Sequence, residues 1–336
     1  MSRIPLIFSV LVIVLSNLTA CSQPPNCFQE DIFCAALVTD TRGLNDFGYN
    51  HDTWAGLEQS HSDGVIDQVA YIESVNMKDY EKNIAFFVDS GYDVIVTSGV
   101  GLRDATLHSA DIYPDSVFIG MNQADDESIP NFISVTFPED KMGFFAGALA
   151  VRLTRTRTIG AVCETSGIDS MWRYCEGFRA GARYMDDSVE VIVVYRDNES
   201  SSKLFIDDEW GFKNAQSLIE SNADVIFAAG GETAVGALRA APEAKVKSIG
   251  AERDQAAALG GEGSGVVTSV LGQTSFTVQG LMRSLRDGNL TDAGMRPITY
   301  IPFDRFVPQN VLLEMNDVLA GLENGEIKTN VPMEKP

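Results

Sequence analysis

Residues 35–54 read AALVTDTRGLNDFGYNHDTW, and the fold is decided there. The apolar run Ile32 to Val38 has the length and composition of a buried strand. It stops at Thr39-Asp40, and a polar turn from Thr41 to Gly48 follows. Asn50, Asp52 or Thr53 can cap the next helix, whose apolar face opens with Trp54 and Leu57. Strand, turn and helix start together put polar groups at the carboxyl end of a sheet, where open α/β sheets hold their ligands.

Strand and helix patterns alternate from there to the end of the chain. Asp93 to Gly99 is a Val/Ile strand closing on a glycine, and Asp224 to Gly230 echoes it, with an amphipathic helix before each. Alternation of this kind predicts an α/β chain, and the echo favours two doubly wound parallel-sheet lobes over one large sheet. The expected division is 32–138 with 272–300 for the first lobe and 139–271 with 301–333 for the second. The chain would cross between them near Phe137–Glu139, Leu271–Thr274 and Tyr300–Pro302. Lobes joined so closely would hinge about an interlobe cleft that closes on ligand.

A hydrophobic fraction of 45% with 21% charged residues is globular composition. The net charge of −22 argues against nucleic acid and anionic membrane surfaces as partners. Arg3 precedes the apolar run Ile4 to Leu15, which is too short to span a membrane as a mature helix. Leu18-Thr19-Ala20-Cys21 is similar to a lipoprotein signal-peptidase box. The expectation is therefore a signal peptide over 1–20, an acylated Cys21 and a tether over 21–31. Four cysteines remain, Cys27, Cys34, Cys163 and Cys175, and an exported chain would form two disulfides from them. Sequence proximity favours Cys27–Cys34 and Cys163–Cys175, with the other connectivities open. With three histidines and poor spacings, a metal site is not expected.

Asp40 followed by Leu44-Asn45-Asp46, Tyr49-Asn50 and Trp54 resembles the opening signature of the basic membrane protein family. Its members are lipid-anchored bacterial solute-binding proteins, and the best understood capture purine nucleosides for an ABC transporter. The resemblance runs from about Ala35 to Tyr300 and implies a periplasmic-binding-protein-like type I fold.

The residues themselves suggest a site. Tyr49 and Phe205 could sandwich a planar base, one from each lobe, with Trp172 a weaker candidate for the same wall. Ser98-Gly99 ends one of the echoing strands. Gly230-Gly231-Glu232-Thr233 ends the other and would offer backbone N–H groups, with Gly231 allowing close approach. The resemblance adds that Asp40 and Asn50 lie where the family contacts the base. It also places Glu252 at the family's ribose-gripping aspartate, ahead of the retained Asp254-Gln255. Where the family carries a second ribose contact, a lysine, the register gives Gly272, so the sugar end is more acidic here. The expected protein is a monomeric, cofactor-free binder of a purine nucleoside or a related ligand, held at the extracytoplasmic side of a membrane and serving a permease. A sensor of the same fold is the alternative. An enzyme is the least favoured reading, because His51, His61 and His108 are scattered and no Gly-x-Ser-x-Gly elbow is present.

Overall fold

The structure, a computed structural model, describes residues 26–46, 48–124, 129–289, 294–295 and 298–336. The expected signal peptide and Cys21 lie outside the described residues.

Twelve strands are described. The first five are β1 (Cys34–Thr39), β2 (Gln68–Glu73), β3 (Val94–Ser98), β4 (Val117–Met121) and β5 (Phe132–Thr136). Then come β6 (Thr158–Cys163), β7 (Glu190–Tyr195), β8 (Val225–Ala229), β9 (Lys247–Ala251) and β10 (Val266–Leu271), with the two-residue β11 (Gly294–Met295) and β12 (Thr299–Tyr300) last. They form two six-stranded sheets, ordered β11-β5-β4-β3-β1-β2 and β12-β10-β9-β8-β6-β7. Only β12, against β10, is antiparallel among the pairings described. The chain is thus the expected pair of doubly wound α/β lobes. Both faces of a parallel sheet are covered by helices, which is why β1, β3, β6 and β8 read as unbroken apolar or small-residue runs and are buried throughout.

Ten described α-helices cover the sheets. In the first half these are α1 (Tyr49–Ser62), α2 (Tyr80–Asp89), α3 (Arg103–Ile112), α4 (Glu139–Leu153) and α5 (Asp169–Met185). In the second half they are α6 (Asp208–Glu220), α7 (Gly231–Ala244), α8 (Gln255–Leu259), α9 (Thr274–Arg286) and α10 (Gln309–Asn324). Helix α1 begins at Tyr49, earlier than its apolar face suggests, and its start is held by Asp46 rather than by Asn50, Asp52 or Thr53. The Asp46 carboxylate accepts the backbone N–H groups of Gly48, Asn50 and His51.

Three crossings join the lobes. The chain leaves β5 through Phe137-Pro138 into α4, and leaves β10 through Gly272-Gln273 into α9. The third crossing falls between Met295 and Thr299, not at Tyr300–Pro302, because Thr299 and Tyr300 already pair with Leu271 and Val270 of the second sheet. Cys27 is bonded to Cys34, tying the N-terminal segment to β1, and Cys163 to Cys175, tying the end of β6 to α5.

Helices α4 and α5 pack backbone to backbone through glycines on both. A Cβ on Gly147 would stand 2.0 Å from the Phe178 carbonyl oxygen, and one on Gly181 only 1.9 Å from that of Phe144. Neither obstacle is a flexible side-chain tip, so the helices would have to separate. Gly147→Ala should therefore lower the urea midpoint by the equivalent of about 3 kcal/mol, the upper end of ordinary overpacking. A shift of a few tenths would mean that the pair is more plastic than its spacing indicates.

Candidate functional site

In each sheet the strand order reverses beside the first strand of its lobe, between β1 and β3 and between β6 and β8. Those are the points where a doubly wound sheet opens a crevice at its carboxyl edge. The two lobes build them alike. Asp40 follows β1 and its N–H donates to the Ser98 carbonyl, while Glu164 follows β6 and donates to that of Ala229. Beyond the neighbouring strand each lobe has a glycine with left-handed backbone, Gly99 (φ 111°) and Gly230 (φ 118°). A Cβ on Gly99 would meet Asp40 Oδ2 at 2.4 Å, and one on Gly230 would meet the Glu164 Cβ at 2.5 Å. Each carboxylate side chain therefore lies across a glycine that no other residue could replace without displacing it.

In the first lobe Asp40 is the hub. Asn50 donates from Nδ2 to Asp40 Oδ1 (2.8 Å) and to the Gly43 carbonyl (2.9 Å). Arg42 donates its backbone N–H to Oδ1 and its Nε to Oδ2 (2.8 Å), with Nη2 2.6 Å from the same oxygen. Asn50 Oδ1 and Ser98 Oγ are buried without a hydrogen-bond partner, and such groups ordinarily find one.

In the second lobe Glu164 is the hub. It accepts from Thr233 Oγ1 (2.6 Å), from the Phe205 N–H (3.0 Å) and from Arg196 Nη1 (3.3 Å). Arg196 is held in turn by Asp207. This network fixes Phe205, whose carbonyl accepts the N–H of Glu232. Glu252, 3% exposed, accepts the Gly231 N–H at 3.1 Å. Phe205 (φ 65°) and Glu252 (φ 73°) both have left-handed backbone, a strain that surroundings sustain most often at functional positions.

The lobes meet here. A Cβ on Gly48 would lie 3.5 Å from Glu252 Oε2, and one on Gly231 at 3.5 Å from the Asp46 carbonyl oxygen. The Arg42 guanidinium reaches across the cleft to lie 4.4 Å above the centre of the Phe205 ring. A groove of about 710 Å³ opens outward from Asp40, Arg42 and Phe205 between the lobes, within the range of small-molecule sites. Burial pushes the Glu252 carboxyl up to about 7, and burial likewise raises Asp46. Burial works against the charge of Arg42, but Asp40 and Asp46 outweigh it and hold the guanidinium above its ordinary value.

Several expected site residues stand apart. Tyr49 is 2% exposed and stacks on Phe137, ring centres 4.9 Å apart at 16°. With that partner it is a wall of the core and not the free half of a sandwich. Trp172 lies on α5 beside Glu176, Arg179 and the C-terminal residues Asn330 to Pro332, on an outer surface. Glu232 feels the charges of Asp208 and Arg239, and Asp254 caps α8 through the Ala257 N–H. At Gly272 a Cβ would fall 1.9 Å from the Phe137 ring. A lysine there requires that ring to move, so the chain has changed its packing as well as its charge at this point.

Arg42, Glu164 and Arg196 were not singled out from sequence. Glu164 had a signal, because Cys163-Glu164-Thr165 closes its strand as Thr39-Asp40-Thr41 closes the first. Among the described residues, no group of three or more His, Cys, Asp or Glu is arranged to hold a metal ion. What the arrangement offers a ligand is one aromatic face, several carboxylate and carbonyl acceptors, and a surplus of negative charge.

Comparison with known proteins identifies the family and the fold. Residues 33–296 match the Bmp family, described as the PnrA-like substrate-binding protein of ABC transporters. A CD4+ T-cell-stimulating antigen of Listeria monocytogenes is 30% identical over 236 residues, covering 66% of this chain and 63% of that protein. The ABC transporter nucleoside-binding protein BmpA of Lactococcus lactis is 28% identical over 232 residues, 66% of this chain and 64% of its own. The chain spans a little under two thirds of the length of these two relatives. Among solved structures, a solute-binding protein of an ABC transporter system from Aeropyrum pernix K1 superposes with a TM-score of 0.77 at 18% identity. That match covers 89% of this chain and 94% of that one and shows a common fold.

Proposed function

The chain belongs to the Bmp family of PnrA-like ABC transporter substrate-binding proteins, and from that premise we propose that its cleft captures a purine nucleoside or a close relative. The observation that carries the reading is the meeting of the two switch points, Asp40 with Asn50 on one lobe and Phe205 with Glu252 on the other. The base would stack on Phe205 while Asp40 and Asn50 take its polar edge. Asn50 Oδ1 and Ser98 Oγ would gain the partners they lack. Glu252 would accept the sugar hydroxyls, each charge-assisted bond contributing about 1.5–3 kcal/mol. Because the groups come from both lobes, capture and closure would be one event. The protein would be anchored through an acylated Cys21 on the extracytoplasmic side and would deliver its ligand to a permease without altering it.

The test is a thermal-shift panel of ribonucleosides, deoxyribonucleosides, free bases and sugars on the protein from Ser22 onward. A true ligand at one hundred times its dissociation constant should stabilise by about 2.7 kcal/mol. The expected result is a rise confined to purine nucleosides, with Phe205→Ala weakening binding by more than about tenfold, as loss of an aromatic anchor does. No response across the panel, in folded protein free of co-purified ligand, would remove the nucleoside reading.

A further inference from the structure

The Arg42 guanidinium is a planar group standing 4.4 Å over the centre of the Phe205 ring and held at its edge by Asp40. Those are the two contacts a planar heterocycle would make in this cleft. We infer that Arg42 is a specificity-setting occupant of the base slot, which a ligand enters only by replacing the guanidinium with a planar group that brings its own N–H donors to Asp40. The inference rests on the reading of this cleft as the ligand site.

Three features support it. Asp46 Oδ2 lies 4.0 Å from Nη1, and Glu252 adds to the field on the guanidinium, so the slot is lined by carboxylates. When Arg42 leaves, any entrant without donors strands buried acceptors, which costs more than the bonds themselves are worth. Anionic entrants such as nucleotides are repelled outright. The arginine also has somewhere to go. Its side chain is 10% exposed, and with Asp40 and Phe205 it borders the open groove. A change of side-chain rotamer therefore suffices, while its backbone N–H keeps its bond to Asp40. The ligand class is thus neutral or cationic, planar and rich in N–H donors, as in amino-substituted purines and guanidino compounds.

An occupant that fills the slot nine-tenths of the time weakens the apparent affinity of its competitor about tenfold. Arg42→Ala should accordingly bind the nucleosides that pass the panel about tenfold more tightly than the unaltered chain. It should also be stabilised by ethylguanidinium at roughly millimolar concentration, where the unaltered chain is not, and nucleosides should displace the ethylguanidinium. Should the alanine variant fail to fold, Arg42→Lys keeps the charge but not the planar fork, and the same tighter binding is expected of it. Weaker nucleoside binding by both variants, or equal responses of variant and unaltered chain to both probes, would overturn the inference. If ethylguanidinium stabilises only the variant while no nucleoside acts on either protein, the slot is as described and the nucleoside reading is what falls.

Discussion

Arg173→Met should destabilise the protein by about 3–5 kcal/mol at neutral pH, because it strands a buried charge. Glu139 is fully buried at the start of α4, immediately after the first crossing between the lobes. Burial pushes its carboxyl up, and the neighbouring Arg173 guanidinium draws it back. Arg173 Nη2 lies 2.6 Å and Nε 3.2 Å from the same Glu139 oxygen, while Nη1 donates to the Met333 carbonyl at 2.6 Å. The other Glu139 oxygen has no partner. Arg173 is thus the main compensation for this carboxylate and also, with Asp169, one of the ties that fasten the C-terminal tail to α5. With methionine in its place Glu139 must take up a proton or remain charged in apolar surroundings, so the loss should be smaller at pH 5 than at pH 8. Glu139→Gln combined with Arg173→Met should recover most of it, since the charge is then gone. Chemical denaturation of the unaltered chain and of the two variants at both pH values decides the matter. A loss under 1 kcal/mol for Arg173→Met would show that water reaches Glu139.

The fold was legible because parallel strands covered on both faces leave unbroken apolar runs. Cys34–Thr39 and Val225–Ala229 could hardly be anything else. Half of the candidate site was legible for a related reason. Asp40, Ser98, Gly99 and Gly231 sit where strands end, and strand ends can be read from sequence. Tyr49 was misjudged as a free ring, and the packing behind Gly272 was not visible, because both depend on Phe137, a residue of the crossing that only the folded chain brings between them. Trp172 was misjudged because its helix turns that side outward. Arg42 was passed over because an arginine in a polar turn is ordinarily solvated. Nothing along the chain announces that Phe205, far away in sequence, lies beneath it.

Glu252→Gln should flatten part of the pH dependence of stability and make the unliganded protein more stable than the unaltered chain above pH 7. In the unfolded chain this glutamate loses its proton near its ordinary value of 4.5; in the folded one burial delays the loss to about 7. Between those values folding takes up a proton, so stability falls as pH rises. The contribution is complete below about pH 4.5 and is lost as pH passes through 7, with a ceiling of about 3 kcal/mol at 1.36 kcal/mol per pH unit. Asp52, raised to about 6 by burial, acts in the same direction over a lower range, so the difference between variant and unaltered chain isolates Glu252. The cause is a carboxylate shut into the interlobe contact with one backbone donor, Gly231, and with Asp46 and Glu139 adding repulsion. A ligand that presents two hydroxyls to it would favour the ionised form. The same residue that weakens the empty cleft above neutrality should therefore strengthen its hold on ligand there. Melting temperatures of both proteins from pH 5 to 9, with and without ligand, test the two halves together. Parallel curves for the empty proteins would show that Glu252 is already ionised well below 7, and ligand affinity should then be indifferent to pH over the same range.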